Sequence, residues 1–526
     1  MAGGGGADGR VNEHGQLADK AITSVMWSAA QRWVVRIAGF VTILILTRLL
    51  SPQDFGTVAI ATSMLPIVNV LADMGFSSYI MQASHVDRRM LSTAFWFTTA
   101  AGVVLAGGLF LSAPVIALIF NISDVSGVVR GLVPAVLLVT ASTVPMSLLR
   151  RRMRFRALAA QSICAALVGQ AAAVALALMG FGVWALIAQT VLNQLVTFVF
   201  CWFSARWIPR LSFSLAEFKA MSTFGIKVVS VEIVGVGRSL AENAIIVAAL
   251  GPAGLGYLNI AQRLIQVVQD VSAAAIVPVS TVVFAQVRGE ADRLRSAYSR
   301  SLSMGYGVII PVMIVIALVS PIILPAFFGQ VWVPSVAASQ VLAVASIFVT
   351  GALIDYGLLY GVGKPGMWLI YATAIDGLTI LSAALTARFG LVSWALGFLV
   401  VAIVATIVRW ALVAHVLAVR WQSVASPFFR AMATAAVSGA LGYAAYVLSQ
   451  PLGPVACVVL TGTAVLLAQF GAMFVIMRAT FREVVRLVSQ RLPIVSKSTT
   501  NWTQRLSRTV SVRERAASSD SVEKDM

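Results

Sequence analysis

Ionisable side chains inside long apolar runs are the residues best placed to do chemistry here, because each is costly in hydrocarbon unless paired or wetted. The run near 25–47 carries Gln31, Arg32 and Arg36. The run near 221–249 carries Lys227, Glu232, Arg238, Glu242 and Asn243, and the run near 256–284 carries Asn259, Gln262, Arg263, Gln266, Gln269 and Asp270. Positions 259, 263, 266 and 270 step by four, three and four, which places them on one helical face. A stripe of that kind reads as a cavity wall. Its cationic members point to an anionic ligand, since the guanidinium fork matches phosphate oxygens. Gln31, Arg32, Arg36, Lys227, Arg238, Glu242, Asn259, Arg263 and Gln266 are the expected cavity residues. Two plainer readings stand beside this one. Arg238 and Glu242 are spaced to neutralise each other at i,i+4, and Arg32 and Arg36 are near enough to a helix end to snorkel to headgroups. Asp73, Asp270, Asp355 and Asp376 are the remaining acids in apolar surroundings; they would carry a coupling proton or Na⁺, or pair structurally with arginine.

The elements that hold these residues follow from composition. The chain has 526 residues, 59% hydrophobic and 11% charged. Soluble domains average about 25% charged residues, so a soluble multidomain enzyme is excluded. Continuous rather than alternating apolar runs, each about 20 residues long, read as membrane-spanning helices. About fourteen are expected, near 25–47, 57–80, 91–118, 130–148, 158–179, 183–204, 221–249, 256–284, 301–326, 333–360, 367–387, 391–414, 430–449 and 454–477. The net charge of +18 would suggest nucleic acid in a soluble protein. Here the amino terminus, alternate loops and the carboxyl tail hold roughly 29 basic residues, against three (Arg48, Arg130 and Arg388) in the intervening loops. The charge therefore reports orientation, with both termini cytoplasmic, and no nucleic-acid partner is expected. The polar, Gly-rich first residues followed by a spanning run do not read as a cleavable signal peptide.

Several motifs carry less than they first suggest. Gly361-Val362-Gly363-Lys364-Pro365-Gly366 fits a dinucleotide pattern but lacks the preceding strand that its physics requires. No Walker A sequence is present, so ATP hydrolysis is not expected. Cys164, Cys201 and Cys457 lie in apolar runs without ligand spacing, and the three histidines are isolated, so no metal or cofactor is expected. Gly390, Gly397, Gly439 and Gly442 read as helix-packing positions. The outside loops are short and offer little beyond Asp54 and Asp124, which argues against a membrane polymerase or ligase.

Two loops match across the chain. Leu50-Ser51-Pro52-Gln53-Asp54-Phe55-Gly56 is echoed by Leu250-Gly251-Pro252-Ala253-Gly254-Leu255-Gly256. The first is a helix start, with a capping serine, proline in the first turn and an acid three residues on. About six spans separate the loops, so the two halves face the same way, a transporter plan that places a site between them.

These residues resemble a known family. Thr47 through Gly56, with Arg48, Pro52, Asp54 and Gly56, then Asp73-Met74-Gly75-Phe76 and Gln82, is similar to the opening of Wzx-type polysaccharide flippases, the polysaccharide transporter branch of the MOP superfamily. The basic stretch Leu149 to Arg156 resembles that family's loop after the fourth helix. Leu250 to Tyr257 with Ala261-Gln262-Arg263 is similar to the start of its second lobe. Within that branch the chain resembles the exopolysaccharide exporters of proteobacteria, including succinoglycan-type transporters. The resemblance implies an all-α polytopic protein of two same-facing six-helix lobes, MATE-like, plus two extra helices. The expected organisation is a cytoplasmic tail (1–21), an N-lobe (22–204), a cytoplasmic linker (205–220), a C-lobe (221–415), two further spans (430–478), and a cytoplasmic amphipathic helix with a disordered basic tail (479–526). It implies movement of an undecaprenyl-pyrophosphate-linked oligosaccharide across the bacterial inner membrane by alternating access, without enzymatic activity. The pyrophosphate and sugar would sit in the polar cavity. Membrane lipids, a polysaccharide polymerase and a chain-length regulator are the implied partners. A MATE-like ion-coupled small-molecule antiporter is the alternative, and a non-transporting scaffold a more distant one.

Overall fold

A chain that must satisfy its backbone inside hydrocarbon, without closing a barrel, has only the helix available. The computed structural model describes residues 31–491 apart from 32, 121 and 288, and among the described residues every regular element is helical. The expected tail over 1–21, Arg32, and the basic tail past 491 lie outside the described residues. The helices are α1 (33–49), α2 (Pro52–Ser63), α3 (Leu65–Asp73), α4 (Phe76–Gln82), α5 (Arg88–Phe120), α6 (Ser123–Arg151), α7 (Phe155–Leu178) and α8 (Val183–Ala205). They continue as α9 (Leu215–Gln286), α10 (Ala291–Ile323), α11 (Ser335–Gly361), α12 (Pro365–Thr386), α13 (Leu391–Leu417), α14 (Trp421–Ser449), α15 (Pro454–Ile476) and α16 (Arg478–Arg491).

Twelve segments among the described residues are long and apolar enough to cross a membrane. That agrees roughly with the expected fourteen. The run at 25–47 begins outside the described residues. The runs at 221–249 and 256–284 share the 72-residue α9, which breaks at Gly251 (φ 72°, ψ 179°) and is counted once, as Glu232–Asp270. The left-handed φ at Gly251 needs a residue without Cβ. Elsewhere the structure is more broken than the apolar pattern suggests. The run at 57–80 becomes α2, α3 and α4. Pro66 has no N–H with which to continue the ladder through Met64, and Met74 (φ 46°) and Gly75 (φ 71°) turn left-handed. Beyond Pro321, α10 ends in a π-helical turn, Leu324–Phe328. Outward-facing side chains such as Leu118 (79% exposed) and Phe203 (82%) are lipid-compatible and would be a liability in water.

The described chain divides into two compact units. One holds the described residues up to Ala273 with Val319–Val349 and Gly363–Ile407; the other holds Ala274–Leu318, Thr350–Val362 and the described residues from Val408. In the first, Phe76, Phe95, Leu149, Cys201 and Trp207 form a buried core. Small residues let its helices approach: a Cβ on Gly102 would lie 2.3 Å from Thr140 Oγ1, and one on Gly397 2.7 Å from Ser382 Oγ. In the second, Gly442 faces Val465 in the same way. Gln469 there accepts from Ser438 (3.0 Å) and donates to Thr434 (3.1 Å), tying α15 to α14. Gly390 instead makes a turn at φ 112°, and Gly439 has only ordinary contacts.

The loop arginines also have a structural role. The last carbonyls of a helix have no intrahelical partner, and cations near that end also meet the negative pole of its dipole. Arg151 donates to the carbonyls of Ile80 (2.9 Å), Ala83 (2.6 Å) and Ser84 (3.2 Å) after α4. Arg152 and Arg154 donate to Ala205 (2.8 Å) and Ser204 (2.9 Å) at the end of α8. In the second unit Arg295 does the same for Leu417 and Ala418 after α13. Arg151→Ala is expected to destabilise the protein by about 1.5–3 kcal/mol, the range for hydrogen bonds to a charged group. Arg151→Lys should recover part of that, as read from melting in detergent.

Helix α16 begins where an amphipathic surface helix is expected. Its Phe481 packs edge-on against Phe474 at 5.4 Å between centroids, and Glu483 pairs with Arg300 at 3.2 Å. This stretch is thus seated on its own unit.

Candidate functional site

The repeated loops meet in space. Ser51 caps α2 in a reciprocal box: its Oγ accepts from the Asp54 amide (3.2 Å), and its own amide donates to Asp54 Oδ2 (2.9 Å). Pro52 follows in the first turn, as Pro252 follows the break at Gly251. Gly56 then lies against the second loop, where a Cβ would fall 1.7 Å from the Pro252 carbonyl oxygen. Gly256 lies against the first, where a Cβ would fall 2.0 Å from the Pro52 carbonyl oxygen. Position i of one copy touches j of the other, and j touches i, the signature of a local twofold relation. Beside this crossing Arg48 donates to the Ala326 and Phe327 carbonyls at the π-helical turn. Trp332 donates through Nε1 to the Thr47 carbonyl at 3.0 Å. Arg48, Pro52, Asp54 and Gly56 therefore build a joint between distant segments. At the other end of the α2–α3 pair, a Cβ on Gly225 would lie 1.8 Å from the Met74 carbonyl oxygen.

The polar stripe of α9 lines a cavity of about 370 Å³ with α1 and α7. Gln31, Arg36, Gln170, Arg263, Gln266 and Asp270 supply its polar wall, closed by Val35, Gly39, Phe40 and Val267. Arg36 is held by two partners: it pairs with Asp270 at 3.1 Å and donates to the Val267 carbonyl at 2.9 Å. Arg263 makes no ion pair among the described residues and is exposed to the cavity. Two arginines against one aspartate leave the wall with a net positive charge. Gln170 is a cavity residue that carries no signal in the sequence. It interrupts the Ala-rich α7 as Gln161 does, but Gln161 donates to Thr197 (2.8 Å) whereas the buried Gln170 Oε1 has no partner among the described residues. An unpaired amide oxygen, an unpaired guanidinium and a tethered guanidinium share one space, a combination chemically suited to an anion that also carries hydroxyl or water donors.

The other expected residues are placed elsewhere. Asn259 faces a second cavity with an uncharged lining. Arg238 joins two acids, Glu242 at 2.8 Å and Asp376 of α12 at 3.0 Å, so the i,i+4 pair is the core of a three-charge cluster. Asp73 accepts from the Ser77 amide (3.1 Å) and hydroxyl (2.6 Å), which starts α4. Lys227 lies in α9, and its side chain is outside the described residues. Asp355 is fully enclosed in the second unit, with Arg409 at 2.9 Å and the Tyr298 hydroxyl donating at 2.6 Å. Arg409 is a lone basic residue in an apolar run, and its partner is on another helix, so its spacing in the chain carries no signal. Both Asp355 oxygens are engaged, an arrangement suited to structure. Removing one member of a buried pair costs about 3–5 kcal/mol, whereas replacing both by apolar groups is often near neutral. Arg409→Leu alone is therefore expected to reduce the melting temperature sharply, and Asp355→Leu combined with Arg409→Leu to restore most of it.

A polytopic all-helical chain with a symmetric loop joint and a charged cavity between its helices is the architecture found here, and the fold is MATE- and MurJ-like. The lipid II flippase MurJ in its inward closed conformation superposes with a TM-score of 0.70 at 11% identity, over 88% of this chain and 100% of that one. At that identity the likeness concerns the fold. Among curated sequences, the succinoglycan biosynthesis transport protein ExoT of Rhizobium meliloti (strain 1021) is 29% identical over 364 residues, 68% of this chain and 74% of that protein. The lipopolysaccharide biosynthesis protein WzxC of Escherichia coli (strain K12) is 24% identical over 449 residues, 81% of this chain and 88% of the other. The family model described as polysaccharide biosynthesis protein matches residues 45–337. The chain belongs to this family.

Proposed function

We propose that this protein translocates an undecaprenyl-pyrophosphate-linked oligosaccharide across the bacterial inner membrane by alternating access, for exopolysaccharide or another surface polysaccharide. The observation that carries this reading is the net-positive cavity lined by Arg36, Arg263, Gln31, Gln170 and Gln266. A pyrophosphate would fork onto Arg263 and compete with Asp270 for Arg36, while the amides meet sugar hydroxyls and the prenyl chain stays in lipid. Exchange of Asp270 for phosphate keeps Arg36 paired before and after binding, and the phosphate supplies Arg263 with a counter-charge. The sequence halves 22–204 and 221–415 act as the two moving lobes in this scheme. The basic loops and both termini face the cytoplasm, and the chain itself performs no bond chemistry. Polymerase and chain-length regulator are its natural downstream partners. A cationic-drug antiporter would favour acids in the cavity, and the excess of arginine there argues for an anionic cargo.

Reconstitution tests this directly. Liposomes holding the purified protein and an undecaprenyl-pyrophosphate oligosaccharide should show protein-dependent leaflet exchange, scored with and without an imposed pH or Na⁺ gradient. Acceleration by one gradient would identify the coupling ion. Lipid exchange no faster than in empty liposomes, in every gradient, would reject the proposal.

A further inference from the structure

The second cavity, also about 370 Å³, lies between α2–α3 and α9. Ala59, Thr62, Ser63 and Pro66 form one wall, and Gly235, Val236, Ser239, Asn243 and Asn259 form the other. Along α2–α3 it falls between the two tight backbone contacts, Gly56 with Pro252 and Met74 with Gly225, so its walls are fixed at both ends. Its volume is within the range of small-molecule sites, roughly 300–1,000 Å³. None of its lining residues is charged or aromatic. Thr62 and Ser63 spend their hydroxyl protons on the Val58 and Ile60 carbonyls (2.8 and 2.7 Å), leaving oxygen lone pairs as acceptors. Asn259 donates once, to the Leu255 carbonyl at 3.0 Å. Ser239 and Asn243 have no hydrogen-bond partner among the described residues. The break at Met64 brings Thr62, Ser63 and Pro66 onto this wall, and no side chain occupies the space at Gly235, where a Cβ would meet nothing within 4 Å.

Donors and acceptors without charge are the complement of a hydroxylated neutral molecule, and they would leave a phosphate or uronate carboxylate without a counter-charge. The cavity is also in register with the first one. Asn259 lines this site, and Arg263, Gln266 and Asp270 line the other, on the same face of the same helix. From Asn259 to Gln266 the helix rises about 10 Å at 1.5 Å per residue. We propose that the second cavity is a neutral-sugar subsite, which binds an uncharged hexose of the lipid-linked oligosaccharide while the pyrophosphate engages the arginine cavity. The subsite rests on the transport reading above and adds a division of labour: charge recognised at Arg36 and Arg263, hydroxyls at Ser239, Asn243 and Asn259.

The test uses the full-length protein and two lipids, undecaprenyl pyrophosphate and the same lipid carrying neutral hexoses. Gly235→Leu fills the cavity without a backbone clash, and the Ser239→Ala, Asn243→Ala double variant removes its polar groups; unchanged melting confirms folding. Each is expected to lower exchange of the glycosylated lipid by about tenfold, the loss of roughly 1.4 kcal/mol of binding, and to leave the bare pyrophosphate lipid at the wild-type rate. Arg263→Gln should slow both. Equal loss for both lipids, or no loss for the glycosylated one, overturns the subsite. Saturation-transfer NMR with a soluble neutral oligosaccharide supplies a readout independent of transport. A wild-type signal that disappears in Gly235→Leu supports the subsite, and no wild-type signal overturns it. If the wild type moves neither lipid, the transport reading fails while the NMR result still decides this one.

Discussion

Replacing Gly56 with alanine is expected to cut lipid translocation by about tenfold or more, the consequence of forcing an atom into a packed contact at 1–3 kcal/mol. The added Cβ would lie 1.7 Å from the Pro252 carbonyl oxygen and 2.4 Å from its carbon. Both are backbone atoms, so no side-chain rotation relieves the clash, and one of the two helix starts must move. Gly256→Ala makes the mirror-image collision with the Pro52 carbonyl at 2.0 Å. Each variant should prop the repeated loops apart and leave the flanking helices, with their own apolar surfaces, inserted in the membrane. A cysteine at Gln53, in a background where Cys164, Cys201 and Cys457 are serine, should then react faster with a membrane-impermeant thiol reagent. Wild-type transport by both glycine variants would show that the joint has no part in the cycle.

The paired substitution Arg36→Gln, Arg263→Gln is expected to lower translocation of a pyrophosphate-linked lipid by about 100-fold or more. Hydrogen bonds to a charged group contribute about 1.5–3 kcal/mol each, and two guanidiniums supply them here. Arg263→Lys keeps the charge but loses the fork, so it should fall between wild type and Arg263→Gln. Asp270→Asn should act in the other direction on affinity. It frees Arg36 from its 3.1 Å partner and is expected to tighten binding and slow release. Exchange rates and equilibrium binding in proteoliposomes separate these effects. A double variant that transports normally would move the phosphate site away from this cavity.

The loop joint and the arginine cavity differ in how far the chain order reveals them. The polar stripe of α9 was readable because a helix repeats every 3.6 residues, so 259, 263, 266 and 270 share a face whatever surrounds them. The Ser51–Asp54 cap was readable because its partners are three residues apart. Gln170 was not, because an isolated glutamine in an apolar helix has the same appearance whether it faces a cavity or a neighbouring helix, as Gln161 does. Nor was the carbonyl-capping role of the loop arginines. Which carbonyls Arg151 caps depends on where α4 ends in space.

Sequence by itself determined the membrane class, the helical architecture and the family, because burial of backbone in hydrocarbon and the spacing of short motifs are local constraints. It also located the repeat, since two loops of the same composition can be matched without knowing where they lie. The tertiary structure alone decided which charges are free and which are spent. Arg36 meets the backbone of Val267, 231 residues away, Arg238 meets Asp376, and Asp355 meets Arg409. Such pairings depend on which helices become neighbours. In a membrane that choice is governed by close packing at small residues and by the cost of leaving a charge unpaired, neither of which is local to the chain. The same holds for Gly56 and Gly256, whose lack of a side chain acquires its meaning only where the two loops cross.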